Sequence, residues 1–276
     1  VYYRTLDDYH RLRTLADQRQ RFAVIGAGFI GSEIAAALRM NGKDVTMVFP
    51  GENIGEHVFA PDLAGFLTDF YRQKGIDVLT GEAVVGLEAG GEHLALQTRR
   101  AREIVVDGIV AGIGIQPDVA LARDAGLAVD RGILVDELLR TSHPDIYAAG
   151  DVAEFHDQTL GERRRVEHED NANTMGRLAG QAMAGEPEPY RHLPFFYSDL
   201  FELGYEAVGD VDARQEVVAD WMEPYRAGVV YYLRAGRVRG VLLWNVWGQV
   251  EAARRLIAAP GLFQPAELIG RLPAAD

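Results

Sequence analysis

Three glycines in Gly26-Ala27-Gly28-Phe29-Ile30-Gly31 stand between a strand-like run, Phe22-Ala23-Val24-Ile25, and a helix-like run over residues 32–38. In that setting each glycine has its own task. Gly26 makes a tight turn, Gly28 lets the backbone approach a pyrophosphate, and Gly31 allows the helix to pack closely on the strand. The helix start then directs its N–H groups and the positive end of its dipole at the phosphates. The chemistry expected of this spacing is dinucleotide binding, with Phe29 and Ile30 inside the cradle. A glycine-rich turn without a ligand is the bland alternative.

The next strand-like run, Asp44-Val45-Thr46-Met47-Val48-Phe49, should end where an acid accepts hydrogen bonds from the adenosine ribose. Phe49 stands there. Glu52 follows on the loop, and Asp44 lies at the opposite end of the strand. Residues 45–58 contain no Lys or Arg, the partner that a ribose 2′-phosphate needs. NADH is therefore expected in preference to NADPH. For Glu52, a ribose contact and a solvated loop carboxylate both stay open.

The elements that must hold these residues follow from periodicity. Thr5-Leu6-Asp7-Asp8 fits a capping box ahead of Leu6, Tyr9, Leu12 and Leu15 at helical spacing, so a helix leads into the first domain. Residues 21–115 alternate strand and helix, with Gly42 and Gly75 as helix stops and Pro61 as a helix start, the pattern of a parallel α/β unit. Residues 84–106 break it: Gly90-Gly91 joins two alternating runs and Ile104-Val105-Val106 follows, an inserted antiparallel meander. Ile146-Tyr147-Ala148-Ala149-Gly150-Asp151 reads as a short buried strand ending in an acidic turn, residues 171–183 as a helix, and residues 185–189 as a linker. Beyond it, two apolar runs flank Ala235-Gly236 as a hairpin, followed by an amphipathic helix through Ile257.

Composition narrows the function classes. A chain of 276 residues has room for two domains. With 28 basic against 41 acidic residues, the net charge of −13 repels phosphate backbones and anionic lipid at long range, so no nucleic-acid partner is expected. No apolar run is long enough for a membrane span. The absence of cysteine excludes disulfides, thiolate metal sites and redox-active thiol pairs. No metal site is expected either, because His168 and Asp170 have no second cluster of ligands. The opening Val1-Tyr2-Tyr3-Arg4 does not read as a secretion signal. A cytoplasmic location and a start partway into a longer chain are the expectations.

Further motifs join the glycine fingerprint: Phe49-Pro50 with Asn53-Ile54-Gly55, Gly112-Ile113-Gly114-Ile115-Gln116-Pro117-Asp118, Ala148-Ala149-Gly150-Asp151-Val152-Ala153 and Arg165-Val166-Glu167-His168. Gly176-Arg177-Leu178-Ala179-Gly180, Phe196-Tyr197-Ser198-Asp199-Leu200 and Gly204-Tyr205-Glu206-Ala207 follow. Together they resemble the pyridine nucleotide-disulfide oxidoreductase superfamily, in its cysteine-free, ferredoxin-reductase-like branch of flavoproteins, near apoptosis-inducing factors and monodehydroascorbate reductases. The resemblance implies an α/β fold: a Rossmann-like NAD-binding domain with the inserted meander, a partial second segment of a split FAD domain, and an α+β C-terminal domain. The boundaries expected are residues 1–20 for a connecting helix, 21–140 for the NAD(H) domain, 141–190 for the FAD segment and 191–276 for the last domain. No second glycine fingerprint, for the ADP part of FAD, occurs in the chain.

The resemblance also implies FAD and NAD(H) as cofactors, and it assigns roles by position. Gly114 belongs to the cofactor-binding loops, and Asp151 to the contacts of the ribityl or phosphate end of FAD, a helix-capping role being its alternative. Phe29 lies against the nicotinamide or gates it, unless it is simple core packing. Glu33 is the carboxylate near hydride transfer, paired in relatives with a lysine of the FAD half; without that lysine it is an unpaired acid on a helix's first turn. Glu167 and His168 stand near flavin and nicotinamide, or else form a solvated helix entrance. Tyr197 covers the cofactor pocket, or packs in a core. Glu33, Phe29 and His168 are thus the catalytic candidates. The activity implied is NADH-dependent reduction of FAD, with electrons passing to a small-molecule or protein acceptor without a dithiol relay. A sensor or assembly module that binds NAD(H) with vestigial redox activity is the rival, and a homodimer is compatible with the resemblance.

Overall fold

The computed structural model describes residues 1–91 and 93–272. Their contacts form two compact units. The first comprises Val1–Gly114, Ser198–Gly204 and Asp212–Arg214; the second comprises Ile115–Tyr197, Tyr205–Val211 and Gln215–Asp276.

The first unit starts with α1 (Leu6–Gln18), whose capping box forms as the sequence predicts: Asp8 N donates to Thr5 Oγ1 at 3.1 Å and Thr5 N to Asp8 Oδ2 at 2.9 Å. Its apolar stripe does not form a buried face. Leu12 is buried, whereas Leu6 is 69 % exposed. The chain then runs through β1 (Arg21–Ile25), α2 (Phe29–Met40), β2 (Asp44–Val48), α3 (Pro61–Gln73) and β3 (Asp77–Leu79). Gly42 and Gly75 follow α2 and α3 at φ +74° and +85°, the left-handed conformation that ends a helix without a Cβ clash. The meander β4 (Val84–Gly90), β5 (His93–Thr98) and β6 (Glu103–Val106) precedes β7 (Gly108–Ala111).

Strands β3-β2-β1-β7 make one sheet, with every neighbouring pair parallel. Both faces of such a sheet are covered, which explains why Phe22, Ala23 and Val24 are all fully buried in an unbroken apolar run. Helix α3 buries Leu63, Leu67 and Tyr71, and the Tyr71 hydroxyl donates to Ser32 O at 3.0 Å, fixing α3 to α2. The meander contributes Leu96, Ile104 and Val106 to a cluster with Ala23 and Val48. The chain leaves β1 toward β2 on one side, while β7 pairs on the other. The carboxyl end of β1 is therefore the switch point where open α/β sheets bind ligands.

The second unit contains α4 (Ala120–Asp124), β8 (Ile133–Leu134), a 3-10 turn at Gly150–Val152, β9 (Ala153–Asp157), β10 (Glu162–Arg165) and α5 (Glu169–Met183). Strands β10-β9-β8 form a small sheet. Phe155, Val166, Met175, Leu178 and Tyr190 share its core. Here the sequence expectation needs correction. Residues 146–149 form no strand: Tyr147 makes an isolated bridge to Arg140, and the buried strand begins after the acidic turn, at β9. The reason is local, since Ile146 N closes a turn onto His143 O and Gly150 sits at φ +74°, so the extended conformation cannot run through to Asp151.

The chain closes with β11 (Phe195–Leu200), β12 (Leu203–Gly209), β13 (Glu216–Glu223), β14 (Ala227–Arg234), β15 (Arg237–Trp244), α6 (Val250–Ala258) and α7 (Pro265–Leu268). The sheet order is β11-β12-β15-β14-β13. The expected hairpin at Ala235-Gly236 is present, with both residues at positive φ as a tight two-residue turn demands. Val229, Tyr231, Leu243, Ala253 and Leu256 place α6 on one face of this sheet. Among the described residues, no helix is long and apolar enough to cross a membrane.

Candidate functional site

The glycine loop has the geometry that its spacing implies. Gly26 is at φ +106°, and a Cβ there would stand 2.1 Å from Gly112 O, so only glycine fits between β1 and the end of β7. A Cβ on Gly31 would stand 2.3 Å from Gly26 O, which measures how closely α2 packs on the turn. Gly28 differs from both. It is the N-cap of α2, at an ordinary φ of −81°, and beyond its own chain neighbours nothing lies within 4 Å of the position its Cβ would take. Its missing side chain is needed by nothing in the protein. The space over it is a cradle beside the first-turn amides of α2, which by helix geometry lack carbonyl partners within the helix. The residues present therefore fit a dinucleotide pyrophosphate.

Around that loop, Phe29 is 40 % and Ile30 43 % exposed, which excludes the core-packing reading of Phe29. Gly114 is at φ +91° with open space at its Cβ position. Glu33, one turn into α2, is half-buried and its Oε1 accepts a hydrogen bond from Ser198 Oγ at 2.6 Å. Burial pushes its pKa up, the Ser198 bond pulls it back, and the Asp199 carboxylate raises it again. The expectation of an unpaired acid is thereby corrected. Nothing in the spacing could have announced it, because the two residues are 165 positions apart.

At the end of β2, Phe49 is buried and Glu52 exposed. Glu56 folds back to accept the amides of Glu52 at 2.8 Å and Asn53 at 3.3 Å, which sets the course of this loop. The Glu52 carboxylate extends toward Gly81, and Arg100, a residue that no sequence motif singles out, reaches the same spot.

In the second unit, a Cβ on Gly150 would meet the Ala172 Cβ of α5 at 3.4 Å, so the turn carrying Asp151 lies against the helix. Asp151 is half-buried in the 3-10 turn, whose N-cap is Ala149, and α5 is capped by His168; Asp151 caps neither. Arg165 Nη1 donates to Asp151 O at 3.0 Å and pairs with Glu167, holding both chain segments together. His168, the N-cap of α5, stacks on Phe196, ring centroids 4.2 Å apart and planes 16° from parallel, so its ring is not solvated, whereas Glu167 and Glu169 beside it are exposed as a solvated helix entrance would have them. Burial, seconded by the Arg164 charge, pushes its pKa down to about 4, so the ring is neutral at neutral pH. Tyr197 is 57 % exposed and is not core packing. No cluster of His, Asp and Glu among the described residues could hold a metal.

Fold and glycine loop together define a Rossmann-like, dinucleotide-binding α/β protein. Residues 1–176 match the family described as pyridine nucleotide-disulphide oxidoreductase, and residues 179–224 and 219–259 match the C-terminal family of mitochondrion-associated apoptosis-inducing factor. The chain belongs to the pyridine nucleotide-disulphide oxidoreductase family. Among its relatives, monodehydroascorbate reductase 3 of Arabidopsis thaliana is 33 % identical over 96 % of this chain and 62 % of its own length. Mitochondrial apoptosis-inducing factor 1 of Dictyostelium discoideum is 32 % identical over 92 % of this chain and 52 % of its own. Among solved structures, the covalent complex of putidaredoxin reductase with putidaredoxin contains a chain that superposes with a TM-score of 0.88 at 32 % identity, over 97 % of this chain and 65 % of that one. The chain thus spans between half and two thirds of the length of these relatives.

Proposed function

We propose that this chain is the nicotinamide-nucleotide-binding and C-terminal part of an NADH-dependent flavoprotein oxidoreductase. The observation that carries the reading is the open cradle over Gly28 at the switch point of the parallel sheet. In it the amides at the start of α2 bind the pyrophosphate of NADH, Phe29 and Gly114 border the nicotinamide, and Glu52 takes the adenosine ribose. When bound, NADH supplies a hydride and FAD the electron acceptor that receives it. This chain's part is to align and to exclude water. Glu33, kept by Ser198 in a partly desolvated position, holds a carboxyl group close to the nucleotide-binding helix start.

In this reading residues 141–190 of the second unit act as the second segment of a split FAD domain, while residues 21–140 are the NAD(H) domain and 191–276 the C-terminal domain. Asp151, Glu167, His168 and Tyr197 are its flavin-side residues. The neutral ring of His168, stacked on Phe196, supplies a flat, uncharged surface. Since no cysteine is present, electrons leave by a route other than a thiol pair of this chain, to a small molecule or a redox protein. The putidaredoxin reductase that this chain resembles forms a complex with putidaredoxin, which supports a protein acceptor.

Gly28 gives a clean test, because the space at its Cβ position is open and in this reading belongs to the ligand. Gly28→Val is expected to keep the melting temperature within about 2 °C while weakening NADH binding by tenfold or more in calorimetric titration, on the order of 1.4 kcal/mol. Unchanged NADH affinity in Gly28→Val overturns the assignment of the cradle. The flavin half is read from the protein expressed from its whole reading frame, which should carry visible flavin absorption that NADH bleaches under argon. A colourless protein that still binds NADH overturns the oxidoreductase reading and leaves the nucleotide site standing.

A further inference from the structure

Phe201 and Glu202 are the two residues that join β11 to β12, and with Ser198 they belong to the first unit. Phe201 is at φ +62°, in the left-handed region, where a turn of this length ordinarily takes glycine or asparagine and a bulky side chain is an outlier. What the ring touches offsets the strain. It meets Tyr71 edge-on at a centroid distance of 5.2 Å and Phe70 at 5.9 Å, two buried residues of α3. Lys74, one turn beyond Phe70, stands over the Phe70 and Phe201 rings at 4.9 and 5.5 Å and pairs with Glu202 at 2.6 Å. Both turn residues thus seat the hairpin tip on α3.

The seat closes a circuit of contacts around Glu33. The Tyr71 hydroxyl donates to Ser32 O at 3.0 Å, and Ser32 immediately precedes Glu33 on α2. Three residues before Phe201 stands Ser198, whose hydroxyl donates to Glu33 Oε1 at 2.6 Å. From Glu33 the path runs to Ser198, along β11 to Phe201, across to Tyr71 and back to Ser32. The hydroxyl and the carboxyl group are therefore held from both sides, one by the hairpin and the other by α2, and α3 joins the two supports.

We propose that Phe201 is a positioning residue: by seating the hairpin tip on α3 it sets the Ser198 hydroxyl against Glu33, and so fixes the Glu33 carboxyl group beside the nucleotide-binding start of α2. This rests on the nucleotide-binding reading above. Besides Ser198, the groups that act on Glu33 are the Asp199 carboxylate, next along β11, and the Tyr3 phenol. A loosened tip moves Ser198 and Asp199 together, and their effects on the Glu33 carboxyl group are opposite in sign. The test therefore asks whether Ser198 still governs Glu33, whatever the direction in which Glu33 moves.

The experiment is a mutant cycle on the 276-residue chain, read as the pH midpoint of the Glu33 side-chain carboxyl in carbon-13 NMR, with the signal identified by its loss in Glu33→Gln. Ser198→Ala should move the midpoint in the wild-type background. In Phe201→Gly, which suits the left-handed backbone and removes the ring, the same substitution should move it by about a third as much or less. Phe201→Tyr, which keeps the ring, should restore the full shift. A Ser198→Ala shift of equal size with and without the ring overturns the proposal, as does a wild-type midpoint indifferent to Ser198→Ala. Should Phe201→Gly not fold, Phe201→Leu takes its place in the cycle with the same two outcomes. In the protein expressed from its whole reading frame, Phe201→Gly should slow flavin bleaching at saturating NADH about threefold or more, with the half-saturating NADH concentration kept within about twofold. Unchanged bleaching alongside a lost coupling overturns the link to the nucleotide. A wild-type chain that does not bind NADH removes the nucleotide reading instead, and the titration cycle still decides whether Phe201 positions Glu33.

Discussion

Glu33 shows how one side chain can be tuned by a neighbour that sequence spacing hides. Its carboxyl group is desolvated, which favours the neutral form, and the 2.6 Å bond from Ser198 favours the ionised form. Its folded pKa stands above the unfolded value, so its stabilising contribution is full at acid pH and lost as pH rises through the folded pKa. Removing the hydroxyl in Ser198→Ala should raise the pKa further. The expected result is a stability loss that is small near pH 4.5 and grows toward pH 8, measured by urea unfolding, and cancelled at pH 8 in Ser198→Ala with Glu33→Gln. A loss of equal size at both pH values would show that Ser198 merely packs. The same limit of spacing applies to Arg100: the window 45–58 lacks a cation, and the fold supplies one from the turn after β5. It also applies to His168, whose aromatic partner Phe196 lies on β11, far along the chain.

Elements are more legible than partners. Glycine spacing, the capping box, the helix stops and the Ala235-Gly236 turn are local signals, set by backbone conformation and the nearest few residues, and each forms as the sequence predicts. The run 146–151 misleads because apolar character alone cannot tell a strand from a buried turn, and strand formation needs neighbours, which β8 and β10 provide to β9 and not to residues 146–149. How the meander is joined to the parallel sheet is also illegible in the sequence. Asp107, in the turn from β6 to β7, accepts from the Gln20 amide at 3.2 Å, the Arg21 amide at 2.8 Å and Arg21 Nη2 at 2.9 Å, and contacts His93 Nδ1 at 3.0 Å. It therefore ties β1 to the meander. Arg21 above all, then the two amides and His93, hold its carboxyl group well below the usual carboxylate range. Such a depressed acid stabilises the fold above its unfolded pKa, and that contribution fades as pH falls below about 4. Asp107→Asn is expected to cost about 2 kcal/mol at pH 7, by the loss of charge-assisted hydrogen bonds, and clearly less only near pH 2, because the folded carboxyl group is still ionised at pH 3. Chemical denaturation at pH 7 and near pH 2 checks it, and an equal cost at each would show that shape and not charge makes the clasp.

At the scale of the molecule, the proposed nucleotide site is a helix start on a negatively charged chain. The chain carries a net charge of −13, whereas in the proposed reading the cradle attracts phosphate through backbone amides and a helix dipole, which act only over the first turn. NADH is itself an anion, so its approach is opposed at long range and favoured at contact. Salt acts on these two terms differently, because its screening length of about 10 Å at 0.1 M removes the distant repulsion and leaves direct hydrogen bonds largely intact. Association of NADH with the wild-type chain should therefore quicken about two- to threefold between roughly 0.02 and 0.2 M salt, with dissociation nearly constant. Stopped-flow fluorescence reads both rates. A site that relied on a broad basic surface would behave in the opposite sense, and association that slows with added salt would show that Arg100 and its neighbours, not the loop amides, govern the approach of the nucleotide.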